Sequence, residues 1–252
     1  MKFPPRVLLI IVLFPLATSA QTYYPGYVIK NNGDTTKGYI KYKRWEQNPK
    51  AIQFKPGAEA KATMLSVNDI RYFSIDIGYP LDFQKYTGPV STDGVRVDDI
   101  ATFRDTGYRL DTVFLKILRK GNNTILFSYD DALKTRFFVA DAKALPVELI
   151  YRTYFADDVN GQKRTVNEDT YKKQMVLIAE KYNKADDTLL ADINTANYTD
   201  AKLEYIADKI NGYTGPDITK GNNLGSPPKV KLAIMLAGFA VIAYLVFSVM
   251  HK

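Results

Sequence analysis

The chain has no cysteine, and its one histidine, His251, sits beside the C-terminus. The first absence excludes disulfides, thiol nucleophiles, thiolate metal sites and a lipidated N-terminal cysteine. The second removes the commonest general base and a leading transition-metal ligand from the body of the chain. Nucleotide-binding signatures are missing too. Gly33-Asp34-Thr35-Thr36-Lys37-Gly38 has glycines and a lysine but not the Gly-Lys-Ser/Thr order that cradles phosphate. Ser226-Pro227-Pro228-Lys229 has the spacing of a serine-lysine nucleophile, yet that pair needs a shared helical turn and two prolines forbid one. Clustered charge is also lacking. The net charge of +7 breaks down as +2 over residues 1–20, nineteen basic against fourteen acidic groups over 21–145, ten against thirteen over 146–225, and +3 over 226–252. A pI near 9.2 spread this thinly marks no nucleic-acid surface, and neither a nucleic-acid partner nor a cofactor is expected.

Charge is absent altogether from Leu232 to Met250, nineteen residues of which ten are Leu, Ile, Val or Phe. As a helix this run reaches roughly 28 Å, close to the hydrocarbon thickness of a bilayer. It reads as a single-pass transmembrane helix over 230–250. Ala233, Ala237 and Ala240 line one of its faces at spacings of four and three, a pattern that lets a second helix approach closely, so homo-oligomer formation through this face is a candidate. At the other end, Lys2 and Arg6 precede an apolar stretch from Val7 to Leu16 and a small-residue end, Thr18-Ser19-Ala20, which is the grammar of a signal peptide over 1–20. Cysteine-free composition fits a bacterial envelope protein better than a eukaryotic secretory product.

Between these ends the pattern is strand-like, then helical. Two β-rich runs around Asn31-Asn32-Gly33-Asp34 read as a hairpin. Short aromatic and branched runs follow at 51–54, 62–67, 71–75 and 81–86, then a polar, glycine-bearing stretch at 88–108 that reads as a long loop with at most one strand. Runs at 111–118, 124–129 and 135–140 predict a meander with Val113, Leu115 and Ile117 meeting Ile125 and Phe127. One more strand is expected within 147–155, turning at Asn160-Gly161. At Asn167 the period changes. Asn167 is the expected N-cap, with Glu168 and Asp169 in the first turn, of a helix carrying Tyr171, Met175, Ile178, Ala179 and Tyr182. Further helices open near Asp186 and at Thr199, the last ending at Asn211-Gly212. The expected layout is α+β: an antiparallel β-rich domain over 21–166, a small helical unit over 167–212, a flexible linker over 213–229, and the membrane helix.

Two stretches could carry chemistry. Four acidic doublets, Asp98-Asp99, Asp130-Asp131, Asp157-Asp158 and Asp186-Asp187, could supply paired carboxylates for an aspartate-dependent hydrolase, though each also falls where a turn or cap favours aspartate. Lys41, Lys43, Arg44 and Lys50 around Trp45 form a basic, aromatic patch suited to anionic lipid or glycan; the plainer expectation is a solvated face with Trp45 covering a core edge.

The series Gly26-Tyr27-Val28-Ile29, Gly33-Asp34-Thr35, Lys37-Gly38-Tyr39-Ile40, Trp45, Asn48-Pro49 and Ile52-Gln53-Phe54-Lys55 resembles a group of uncharacterised exported proteins of Bacteroidota. Asp111 to Lys116, Tyr171-Lys172-Lys173-Gln174 and Tyr198-Thr199 extend the likeness over most of 21–212. In many of those proteins a comparable region is followed by an outer-membrane β-barrel, whereas here a single apolar run takes that place. The resemblance implies placement in the envelope and lends no catalytic residue. The resulting expectation is a non-enzymatic module anchored in the bacterial inner membrane, its main part in the periplasm, meeting an envelope protein or a glycan. A hydrolase and a glycan-binding module are the alternatives.

Overall fold

The computed structural model describes residues 22–94, 100–141 and 144–213. The expected signal segment, linker and transmembrane helix, with Ala233, Ala237 and Ala240, lie outside the described residues, as does the doublet Asp98-Asp99. Among the described residues no helix is long and apolar enough to cross a membrane.

Strands β1 (Tyr23–Lys30), β2 (Thr35–Lys41), β3 (Ala51–Lys55), β4 (Thr63–Ser66), β5 (Ile70–Asp76), β6 (Pro80–Ser91), β7 (Tyr108–Lys120), β8 (Thr124–Asp130), β9 (Thr135–Asp141) and β10 (Val147–Leu149) form one antiparallel sheet in the order β10-β9-β8-β7-β6-β5-β1-β2-β3-β4. A hairpin of β11 (Arg152–Asp157) and β12 (Lys163–Glu168) follows, then helices α1 (Thr170–Lys181), α2 (Asp187–Thr195) and α3 (Asp200–Ile210). The α+β expectation therefore stands as a β-rich fold with three short helices.

The β1–β2 hairpin turns at Gly33, whose φ of 102° is open to glycine at little cost. Within it Gly26 faces Gly38, and both are needed for close approach: a Cβ on Gly38 would come 2.1 Å from the Lys55 carbonyl oxygen, and one on Gly26 2.3 Å from that of Ser74. Strand alternation then sorts side chains onto two faces. Val28, Ile40, Ile52, Phe54, Phe73, Ile75, Phe83 and Phe114 share one buried cluster. Val113, Leu115, Ile117, Ile125 and Phe127 meet in another, as the meander predicts. A bulge between Ile117 and Arg119 gives β7 an extra residue, and its two neighbours part company: Ile117 packs with the second cluster, Leu118 with a third.

That third cluster joins the helices to the β8–β10 end of the sheet. Tyr171, Met175 and Ala179 on α1, at helical spacing, pack with Leu189 and Ile193 of α2, with Leu203, Ile206, Ala207 and Ile210 of α3, and with Leu126, Phe137, Val139 and Leu149. The Tyr198 hydroxyl donates to the Leu149 carbonyl at 2.6 Å and accepts the Phe137 N–H at 3.0 Å. At the helix ends, Asp186 caps α2 by accepting from the Leu189 N–H at 2.8 Å, and Thr199 is the N-cap residue of α3.

Three boundaries differ from expectation. The stretch expected to be loop from 88 to 108 is shorter, because β6 runs through Gly88 and Pro89 to Ser91 and pairs with β7 from Tyr108. The single strand expected over 147–155 is two, β10 and β11, in different sheets. The break at Ile150 arises because α1 takes its backbone groups: Gln174 accepts the Ile150 N–H at 2.8 Å and the Tyr171 N–H donates to the Ile150 carbonyl at 2.8 Å. Asn167 is not an N-cap. It lies on β12 opposite Thr153, next to Glu168, which is tied to Arg104 and Arg152, so α1 starts only at Thr170 with Asp169 as its N-cap residue.

Candidate functional site

The basic patch around Trp45 is divided by the fold. Trp45 turns inward, edge-on to Tyr42, Phe73 and Phe83 at ring separations of 5.0, 6.1 and 5.6 Å, and covers the margin of the first cluster. Its loop is pinned by Asn48, whose side-chain amide donates to the carbonyls of Phe114 (2.7 Å) and Ser128 (3.2 Å) and accepts the Asp130 N–H (3.1 Å), bridging β7 and β8. A cavity of about 60 Å³ beside Trp45, Phe83, Lys116 and Asp130 has room for water and not for a sugar ring. Lys43 and Arg44 are exposed, while Lys41 follows the buried Ile40 and therefore belongs to the opposite sheet face.

The described acidic doublets serve turns and caps. Asp158 accepts the N–H groups of Asn160 and Gln162 at 2.8 and 2.9 Å, and Asp187 lies in the first turn of α2 behind its cap. Asp130 accepts from the Thr135 hydroxyl at 2.5 Å, and burial pushes its carboxyl up. Asp131 is held the other way. Burial opposes its ionisation, but hydrogen bonds from Arg136, Arg109 and the Leu133 N–H outweigh that and hold it at about 2. Among the described residues no group of three or more acidic or histidine side chains is placed to hold a metal ion.

One cluster had no counterpart in the sequence reading. Where β6, β9, β10 and β11 converge, Asp93, Lys134, Arg136, Glu148 and Arg152 are all buried. Lys134 Nζ donates to Asp93 at 2.6 Å and to the Tyr151 carbonyl at 3.0 Å. Glu148 accepts the Ser91 N–H at 2.9 Å and its hydroxyl at 2.5 Å, with Arg136 Nε 3.8 Å away. Arg136, with no exposed surface, reaches Asp131 at 2.8 Å and the Ser91 carbonyl at 2.8 Å. Arg152 binds Glu168 at 3.0 Å and the Tyr108 hydroxyl at 2.9 Å. Asp93 Oδ1 and Arg152 Nε face each other at 3.9 Å without a closer partner. Burial lowers the Lys134 ammonium and raises the Glu148 carboxyl. An amine so perturbed has the chemistry of a nucleophile, but its side chain is 1% exposed and engaged, so no substrate can reach it. The cluster is a tie between strand ends.

The accessible chemistry lies on the far face of β5, β1, β2 and β3. Opposite the apolar cluster, alternation places Tyr23 and Tyr27 of β1, Lys37, Tyr39 and Lys41 of β2, Gln53 and Lys55 of β3, and Tyr72 and Ser74 of β5. Contacts agree with this sorting. Tyr27 stacks on Tyr72 at 5.8 Å, the Tyr23 hydroxyl donates to Gln53 at 3.2 Å, and Lys55 Nζ lies 4.6 Å above the Tyr23 ring. Burial, then the Asp82 carboxylate and the Tyr27 hydroxyl, push the Tyr72 phenol far up. Tyr23, Tyr27, Tyr39 and Tyr72 are half-buried, and Lys37 is exposed. Among the described residues Lys37, Lys41 and Lys55 have no ion-pair partner, as is also true of Lys85, Lys116 and Lys120 on β6 and β7. Of this face, only Lys41 was singled out from sequence. The signal available was tyrosine and lysine alternating with buried aliphatic residues along β1 and β2.

Compared with family models, curated proteins and solved structures, the chain matches none.

Proposed function

We propose that the protein is a non-enzymatic interaction module of the bacterial envelope, held at the inner membrane by one helix over 230–250 with its β-rich part in the periplasm. The observation that carries this reading is the uncharged run Leu232–Met250, which is apolar enough for lipid to solvate it better than water does. Three features support it further: the signal-like grammar of residues 1–20, the serial likeness of residues 21–212 to exported proteins, and a sheet face with unpaired lysines. The buried ionic cluster and the acidic turns contribute to folding, which leaves recognition on an open surface as the chemistry the described residues offer.

The reading is tested by fractionation. After detergent-free lysis the full chain sediments with membranes and resists alkaline washing, and a chain stopped before Leu232 is recovered in the soluble fraction. A full-length chain in the soluble fraction refutes the proposal. Crosslinking in the native membrane then identifies the protein or glycan it meets.

A further inference from the structure

The sheet face opposite the first apolar cluster combines three features. Lys37, Lys41 and Lys55 are without an ion-pair partner among the described residues, and the acidic Asp82 stands at the margin of the face, beside Tyr72. Its tyrosines are set across neighbouring strands, with Tyr27 opposite Lys37, Tyr23 opposite Lys41 and Tyr39 opposite Lys55. Its remaining groups include Gln53, whose amide can hydrogen-bond in either sense.

We propose that this face binds an anionic polysaccharide, with Lys37, Lys41 and Lys55 meeting its acidic groups and its sugar rings lying on Tyr27 and Tyr39. The argument from charge is complementarity: unpaired cations on a rigid sheet attract a polyanion over a distance and at little reorganisation cost. The argument from shape is that strands about 4.8 Å apart present alternating rings and ammonium groups in rows. A linear polymer of flat, hydroxylated rings can lie across such rows. Tyrosine suits that contact because its ring offers an apolar face and its hydroxyl a hydrogen bond. An anionic lipid surface calls instead for several apolar side chains that enter the bilayer beside the lysines, and on this face Met64, opposite Gln53, is the one large exposed apolar side chain among the described residues, the aromatic rings being half-buried between strands. Trp45, the aromatic residue the sequence singled out, takes no part, since it packs on Phe73 and Phe83 on the other side of the sheet.

The inference rests on the extracytoplasmic placement proposed above, but its test does not depend on location. Full-length protein with its apolar run already embedded in phosphatidylcholine nanodiscs is titrated with polygalacturonate, with uncharged xylan and with vesicles of phosphatidylglycerol in phosphatidylcholine, at low and at high salt. The expected result is saturable binding to polygalacturonate that weakens with salt, with little binding to xylan or vesicles. Lys37→Glu/Lys41→Glu/Lys55→Glu and Tyr39→Ser should each weaken binding by at least about tenfold. Lys43→Glu/Arg44→Glu, a charge reversal outside the face, should leave it unchanged; circular dichroism establishes that each variant is folded. Absence of binding by the folded wild type to both polygalacturonate and isolated cell-wall sacculi overturns the proposal. So does binding that both sets of charge reversals weaken equally, or preference for the vesicles. If the protein sediments with membranes yet binds no polyanion, this inference fails and the tether stands.

Discussion

Replacing Arg136 by methionine tests whether the buried charges act as one network. The guanidinium has no exposed surface, and methionine fills a similar length without a charge. The substitution removes the 2.8 Å pair with Asp131 and the 2.8 Å hydrogen bond to the Ser91 carbonyl, and leaves Glu148 with Lys134, at 4.0 Å, as its nearest cation. Asp131 keeps Arg109 at 2.9 Å, so the damage centres on Glu148 and Ser91. Breaking a buried pair from one side costs about 3–5 kcal/mol. With an m-value of about 2 kcal/mol per molar urea for a chain of this size, the unfolding midpoint falls by roughly 1.5–2.5 M. The single tryptophan, Trp45, packed against Phe73 and Phe83, provides the fluorescence signal, with far-ultraviolet circular dichroism as the second probe. Adding Glu148→Gln to Arg136→Met removes the stranded carboxylate and should recover at least about 1 kcal/mol, a coupling that a double-mutant cycle measures. A loss below about 1 kcal/mol in the single variant, or strict additivity in the double, would show that these charges are solvated independently and would refute the reasoning.

Four further outcomes are expected. Because Asp131 is held at about 2, below its unfolded value near 4, the stability it supplies is complete above pH about 4 and is lost as the pH falls towards 2; Asp131→Asn should flatten the acid limb of unfolding in that window, and an unchanged slope would contradict the pairing. Glu148 has the opposite sign: burial raises its folded value, so its contribution is present at low pH and lost as the pH rises, and Glu148→Gln should show less decline than the wild type as the pH rises above about 4. Asn48→Ala, which strips the bridge from Asn48 to Phe114, Ser128 and Asp130, should cost about 1–3 kcal/mol and expose Trp45, read as a red-shifted emission of the native state. Asn211→Ala should cost a similar 1–3 kcal/mol by freeing the N–H groups of Asn123 and Thr124, which its side chain accepts at 3.0 and 2.9 Å, and hydrogen exchange at those two amides reports it.

Much of the strand pattern was legible because it follows alternation against a buried face: Val28, Ile40, Phe73 and Val113 each announce a strand, and Asn31 to Asp34 announce the first turn. Asp186 and Thr199 were readable as caps because the residues that follow them have helical apolar spacing. β12 was hidden, since Lys163 to Glu168 pairs only with β11 and carries almost no apolar residue, leaving no period to detect. The continuation of β6 was masked by Gly88 and Pro89, whose local preferences are overridden by pairing with Asp111 and Leu110. The buried ionic cluster was illegible for a different reason. Lys134, Arg136 and Glu148 look like surface residues until partners from four strands arrive together, and no local pattern encodes that convergence. Trp45 illustrates the reverse error available to composition: a tryptophan among lysines suggests a ligand surface, yet its ring completes the core.

The measurement that bears most directly on the account is the sidedness of the chain in intact cells. Since the natural sequence has no cysteine, Lys37→Cys and His251→Cys each give a unique thiol, one on the exposed sheet and one beyond the apolar run. A maleimide that passes outer-membrane porins and not the inner membrane should label position 37 in intact cells and position 251 only after lysis. Labelling of neither position before lysis would place the sheet in the cytoplasm and contradict the account, and labelling of both would show that the apolar run does not span the inner membrane.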